Sequence, residues 1–177
     1  MEVILIRHTS VDVPHGTCYG QSDVPLNATF EQEAAVTNDT LKQYRPFDMA
    51  YTSPLTRATR LATFCGFPDA QRDTRLMEID MGEWEMKRYD EIDDPNLAIW
   101  FDNYMRHPAT GGESFPQLYK RVASFLDDLR QKPYKRVAVF AHGGVLICAG
   151  IYAGLFEADN NAFSHLASFG GVEHITL

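Results

Sequence analysis

The sequence predicts an α/β protein, a three-layer sandwich with a mostly parallel sheet flanked by helices. Three observations predict it. Residues 3–6 and 137–141 are short, unbroken apolar runs led by β-branched residues, as expected of strands buried on both faces of a parallel sheet. Helix-length segments alternate with extended ones along the chain, which is the pattern of a sheet covered on both sides. Polar residues follow three of the predicted strands at once: Arg7-His8 after the first, Ser53 with Arg57 after the second, and His142-Gly143-Gly144 after a late one. In open α/β sheets ligands bind beyond the carboxyl ends of the strands, so these residues mark one functional edge.

The elements follow in order. After the first strand, residues 8–27 carry Pro14, Gly16, Gly20 and Pro25 among polar residues and read as a long functional loop. Thr29 and Gln32 are spaced as a capping box for a helix through about Tyr44, stopped by Pro46. Residues 47–52 form a second short strand, and Ser53-Pro54 is a cap and first-turn pair for a helix ending near Gly66. A third extended piece covers residues 74–79. Residues 81–112 mix acidic, aromatic and proline residues and are expected to form short helices of a lid. From Ser114 to Lys132, Leu118, Val122, Phe125, Leu126 and Leu129 recur at helical spacing, which predicts an amphipathic helix packed on the core. The run at 137–141 is followed by a helix over residues 145–155, and residues 166–177 suggest two strands joined at Gly170-Gly171. A chain of 177 residues is long enough for one sizeable core, so a single domain with a lid at about 81–112 is expected.

Composition limits the function classes. Sixteen basic and 24 acidic residues give a net charge of −8, which offers no overall attraction to nucleic acid or anionic membrane. Cys18, Cys65 and Cys148 are odd in number and scattered, fitting reduced thiols in a cytoplasmic protein better than a disulfide framework. No apolar run approaches spanning length, and the N-terminal one is too short for a signal peptide. No metal-ligand spacing is present, and no cofactor is expected.

A cationic pocket in an acidic chain therefore has to be local, and Arg7, His8, Arg57 and His142 at neighbouring strand ends would make one. Its natural guest is the phosphate of a small-molecule ester. Arginine offers planar, bidentate donors to phosphate oxygens, and Gly143 and Gly144 bring backbone N–H groups to a helix N-terminus. A neutral histidine is nucleophilic near pH 7 without a metal. The departing alcohol needs a proton, and Glu78, at the end of the third extended segment, is the candidate donor. His15, His107, His165 and His174 have no such neighbours and are expected at the surface or the core edge. Trp84, Tyr89 and Trp100 are read as lid packing first and as contacts to a ring-bearing substrate second.

With these residues in hand, the sequence resembles the histidine phosphatase superfamily, the phosphoglycerate-mutase-like fold. Four ordered segments carry the resemblance: Leu5-Ile6-Arg7-His8, Ser53-Pro54-Leu55-Thr56-Arg57-Ala58, Leu76-Met77-Glu78 through Gly82-Glu83-Trp84-Glu85, and Ala141-His142-Gly143-Gly144-Val145. Gly82 to Met86, Gly111 to Phe115 and Arg121-Val122 are most similar to the α-ribazole phosphatases of cobalamin assembly. The resemblance implies that His8 is the phosphorylated nucleophile. It makes Arg7, Arg57 and a protonated His142 the phosphate clamp, and Glu78 the acid and later the base. Gly20 matches a family loop glycine. The residues after His8 depart from the family pattern of Gly, then Glu or Gln, then Thr, with an Asn a few positions on. Here they read Thr9-Ser10-Val11, and Pro14 lies near the Asn position. The missing phosphate donor would have to come from Thr9, Ser10 or the loop at 17–22. A phosphatase of another small phosphometabolite, a phosphoglycerate-mutase-type phosphotransferase, a phospho-ligand binding module and a metal hydrolase are the alternatives this pattern leaves open.

Overall fold

The first apolar run sits in the middle of the sheet. In a computed structural model, which describes residues 1–159 and 161–177, β1 (Glu2–Arg7), β2 (Met49–Thr52), β3 (Gln71–Arg72), β4 (Arg136–Ala141) and β5 (Val172–Thr176) form one sheet in the order β3-β2-β4-β1-β5. β1 pairs in parallel with β4, and β4 with β2. The two-residue β3 extends the parallel edge, and β5 closes the other edge antiparallel to β1.

Side-chain alternation along β1 divides the core in two. Val3 and Leu5 pack with α4 (Phe115–Arg130) and α5 (Gly143–Tyr152) on one face. Ile4 and Ile6 pack with α1 (Phe30–Leu41) and α2 (Thr56–Phe64) on the other. Leu118, Val122, Phe125, Leu126 and Leu129 of α4 are all buried, as their spacing predicts. Truncating Leu118 to alanine in such a core would cost about 2–5 kcal/mol. A capping box starts α4: Ser114 Oγ accepts from the Gln117 N–H, and the Gln117 side chain accepts from the Ser114 N–H at 2.7 Å. Residues 81–112 hold two 3-10 turns and α3 (Asn96–Asn103) around buried Trp84, Met81, Ala109 and Cys18.

Four local expectations need correction. Thr29 does not cap α1 with its side chain, because its hydroxyl donates to Glu33 at 2.6 Å. Ser53-Pro54 precedes α2 rather than opening it: the helix begins at Thr56, whose N–H is capped by Asp23 at 2.9 Å. Residues 74–79 are not a strand, since Thr74–Leu76 is a 3-10 turn capped by Asp73. Residues 166–169 form no strand either. They cross the end of the sheet, and Gly170, at φ +69°, turns the chain into β5.

The three cysteines are buried and free. Among the described residues no helix is long and apolar enough to cross a membrane, and no cluster of three metal-ligating side chains occurs.

Candidate active site

Register brings the expected residues together. Arg7 pairs with Ala141, so His8 and His142 leave adjacent strand ends side by side, with ring centroids 5.2 Å apart. Thr52 pairs with Phe140, and the Ser53 N–H continues that ladder to the Phe140 carbonyl at 2.8 Å. This sets Ser53 against His142. Arg57, one helical residue beyond the start of α2, reaches the same point and is completely buried.

The hydrogen bonds fix both imidazoles. His8 Nδ1 lies 2.7 Å from the Thr9 carbonyl, which only accepts, so Nδ1 carries the proton and Nε2 presents a lone pair. Burial, then the positive charge of Arg57, pushes His8 down to about 3. Its ring is therefore neutral throughout the physiological range. Arg57 Nε donates to His142 Nδ1 at 3.2 Å, and His142 Nε2 is 2.7 Å from Ser53 Oγ. His142 is thus the neutral Nε2–H tautomer, donating to Ser53. Burial first, then Arg57 and His8, hold it well below the ordinary histidine value. The sequence resemblance implies a protonated His142; here the adjacent guanidinium takes the lone pair that a second proton would need.

Arg57 also donates to the Gly20 carbonyl at 2.6 Å and the Ser22 carbonyl at 2.8 Å. Arg7 Nη1 donates to the Ala167 carbonyl at 2.6 Å, and its guanidinium stacks 4.1 Å from the Phe169 ring centroid. Both arginines lie below the ordinary arginine value because burial disfavours the cation, with Glu78 acting in the opposite direction on each.

Glu78 is not on a strand, yet it arrives at the site. Its Oε1 accepts from the Ile79 N–H at 2.8 Å and its Oε2 from the Gly144 N–H at 3.1 Å. The Gly144 donor is therefore engaged by Glu78 in the free protein, while Gly143 opens α5 against Arg7. A Cβ on Gly144 would lie 2.4 Å from Glu78 Oε1, so only glycine permits this approach. Gly20 is equally constrained: a Cβ there would fall 2.0 Å from the Ile79 carbonyl oxygen.

The substitutes for the family Asn sort themselves. Ser10 is tied to Glu33 through its N–H at 2.8 Å and its hydroxyl at 2.6 Å. Ser22 is held by Glu85. The Thr9 hydroxyl is buried and, with Arg7 Nε, is one of two buried side-chain polar atoms without a hydrogen-bond partner among the described residues.

Two positioning residues were not anticipated from sequence. Glu85 accepts from the N–H groups of Gly20, Gln21, Ser22 and Met81 and from the Ser22 hydroxyl, at 2.6–3.1 Å. Burial opposes its charge, but these donors outweigh burial and keep its carboxyl below the ordinary range. Arg121 forms a bidentate pair with Glu113 at 2.8 Å and donates to the carbonyls of Arg75, Met77 and Glu78. It thereby holds the backbone that carries Glu78. In the sequence both stand inside segments that carry the resemblance, Gly82 to Met86 and Arg121-Val122, but with no positioning role assigned to them.

Beside Glu78 opens a cavity of about 420 Å³. Tyr19, Tyr89, Trp100, Phe101, Tyr104 and Phe163 are among the residues that line it. Trp84 is excluded from it, being buried with its indole N–H on Asp94. The remaining histidines lie apart from this site: His15 and His165 are exposed, His107 pairs with Asn96, and His174 faces Glu2 from β5.

This fold and this cluster of histidines and arginines at one sheet edge are those of a phosphohydrolase. The family model of the histidine phosphatase superfamily (branch 1) matches residues 3–170, and the chain belongs to that superfamily. It is 27% identical over 175 residues to phosphoserine phosphatase 1 of Hydrogenobacter thermophilus, covering 92% of this chain and 80% of that protein. An uncharacterized phosphatase of Bacillus subtilis, PhoE, is 29% identical over 146 residues, with 81% and 72% covered. The crystal structure of the α-ribazole phosphatase from Shigella flexneri superposes with a TM-score of 0.88 at 24% identity, over 100% of this chain and 91% of that one. The fold is thus the phosphoglycerate-mutase-like one, and the protein is a hydrolase of small phosphate esters.

Proposed function

We propose that the chain hydrolyses a phosphomonoester with a ring-bearing, nucleoside-like leaving group, through a phosphohistidine on His8, and that α-ribazole 5′-phosphate is the specific candidate. The aromatic cavity against Glu78 carries this reading. Seven aromatic side chains line a space of about 420 Å³, which suits burial of a flat ring, and Glu78 is the one charged residue lining it among the described residues. The carboxylate of a phosphoserine or a phosphoglycerate would find no cationic partner there. Closure of residues 81–112 over the ring would exclude water from the bond being broken.

In the first step His8 Nε2 attacks phosphorus, the bond from phosphorus to the ester oxygen breaks, and Glu78 gives its proton to the departing alkoxide. Water then attacks phosphorus and loses a proton to Glu78 as the bond to Nε2 breaks. Arg7 and Arg57 supply fixed positive charge to the equatorial oxygens, the dominant contribution in phosphoryl transfer. His142, a neutral Nε2–H donor on Ser53, would turn its N–H toward the phosphoryl group or take a proton once the dianion is bound. The test is phosphate release in chelator from α-ribazole phosphate, nucleoside monophosphates, phosphoserine and phosphoglycerates, with acid quench for an acid-labile phosphohistidine. A ring-bearing ester should give the highest kcat/KM, and His8→Ala should give none. A preference for phosphoserine or interconversion of phosphoglycerates would overturn the substrate class.

A further inference from the structure

Arg7 is held by two contacts of different kinds. Its Nη1 donates in the plane of the guanidinium to the Ala167 carbonyl at 2.6 Å, and its face lies 4.1 Å from the centroid of the Phe169 ring. Phe169 also meets His8, at 5.5 Å between ring centroids. It is 41% exposed although it touches the buried nucleophile, and it is absent from the aromatic cavity on the Glu78 side. The backbone around it is anchored to the same strand end: the Gly170 N–H donates to the His8 carbonyl at 3.0 Å and the Arg7 N–H to the Gly171 carbonyl at 3.0 Å. Packing alone does not account for a half-exposed ring in this place, since an exposed apolar side chain gains little from burial. The counterpart across the site is Tyr19, whose ring lies 5.4 Å from the Arg57 guanidinium carbon.

We infer that Phe169 is a positioning residue for phosphate binding, its ring face fixing the plane of the Arg7 guanidinium beside His8. The inference rests on the reading of Arg7 and His8 as the phosphate-handling pair. A cation over a ring within about 6 Å is attracted by the ring quadrupole, and the attraction increases as water is excluded. An arginine held by one carbonyl and one ring face has its remaining N–H groups already oriented, so it meets a phosphate without a rotamer search, which lowers the entropic cost of gripping it. Tyr19 would serve Arg57 in the same way, but it lines the leaving-group cavity and its replacement would alter substrate contacts as well. Phe169 isolates the effect.

The experiment uses the full chain with Phe169 replaced by 4-fluoro-, 3,4,5-trifluoro- and pentafluorophenylalanine, which keep the ring's shape while draining its quadrupole in steps. The readouts are the dissociation constant of inorganic phosphate and kcat/KM on an aryl phosphate. Both should weaken progressively, by about 3- to 10-fold across the series, which is the range expected of a cation–ring contact. Phe169→Trp should retain phosphate binding and Phe169→Leu should lose it to a similar extent as the pentafluoro ring. A flat fluorinated series, with phosphate still bound by the unsubstituted protein, would overturn the role of Phe169 alone. Failure of the unsubstituted protein to bind phosphate would instead overturn the reading of the site beneath it.

Discussion

Arg57 donates from Nε to Nδ1 of His142 at 3.2 Å, and this single bond decides the chemistry of the second histidine. With its Nδ1 lone pair occupied by a cation's N–H, His142 is neutral and carries its proton on Nε2, directed at Ser53 Oγ. His8 has the opposite tautomer, because its Nδ1 faces the Thr9 carbonyl. Nitrogen-15 spectra of the free protein at pH 7 should therefore show an Nδ1–H imidazole and an Nε2–H imidazole, neither titrating between pH 5 and 8. Two matching tautomers, or a midpoint for either ring near 6.5, would contradict the arrangement.

The pH dependence of stability follows from the same geometry. His8 in the folded protein has its value lowered from 6.5 to about 3, and His142 is lowered in the same direction. Below pH 6.5 the unfolded chain takes up protons that the folded chain refuses. The stabilising contribution is thus fully present above 6.5 and is lost as pH falls from 6.5 toward 3. The urea midpoint should decline over that window, and His8→Asn, which removes one titrating ring, should show a shallower decline than the parent. An equal slope in the two proteins would refute the depressed value.

Much of this site could be read from the chain before any coordinates. Arg7, His8 and His142 were legible because a parallel strand places the residue after its last apolar position at the ligand edge, and both runs are unmistakably apolar. Glu78 was legible as a neighbour of the strand-end residues, while its element was not. The carbonyls of the segment that carries it are held by Arg121 and Gln21, and none of these long-range bonds has a local signature. The capping residue of α2 escaped for the same reason. Asp23 is 33 residues away from the Thr56 N–H it caps, so the nearby Ser53 was the obvious local choice. The tautomer of His142 was not legible because it depends on a partner 85 residues distant in sequence.

Glu85 tests whether the 20–22 loop positions Arg57. Its carboxylate collects the N–H groups of the loop, and the loop's carbonyls at Gly20 and Ser22 in turn receive Arg57. In Glu85→Gln the amide NH₂ would face those donors, orphaning at least one at a cost of about 1–3 kcal/mol. Urea unfolding should register that loss, and inhibition by inorganic phosphate should weaken together with it. Loss of stability with phosphate affinity unchanged would show that the loop does not govern Arg57.

Glu78 lies between the aromatic cavity and the N-terminus of α5, and that position makes a prediction about leaving groups. A general acid matters in proportion to the basicity of the oxygen it protonates, and general acid–base catalysis of this kind is typically worth 10²–10⁴-fold. An alkyl phosphate departs as a strongly basic alkoxide, whereas a nitrophenyl phosphate departs as a stable phenolate. Glu78→Gln preserves the side chain's length and one acceptor, so the amide oxygen can keep the Gly144 N–H and hold the α5 terminus in place while the NH₂ faces the Ile79 N–H at a cost of about 1–3 kcal/mol in stability. Turnover of the alkyl ester should then fall by about 100-fold or more, while formation of the phosphohistidine from the nitrophenyl ester should fall far less. The second half-reaction adds a further check, because the same carboxylate activates water. Rapid-quench experiments on the variant should trap more phosphohistidine from the nitrophenyl ester than the parent does. If both esters lose activity equally in the first step and no intermediate accumulates, Glu78 is not the proton carrier, and the group must be sought elsewhere along the cavity wall.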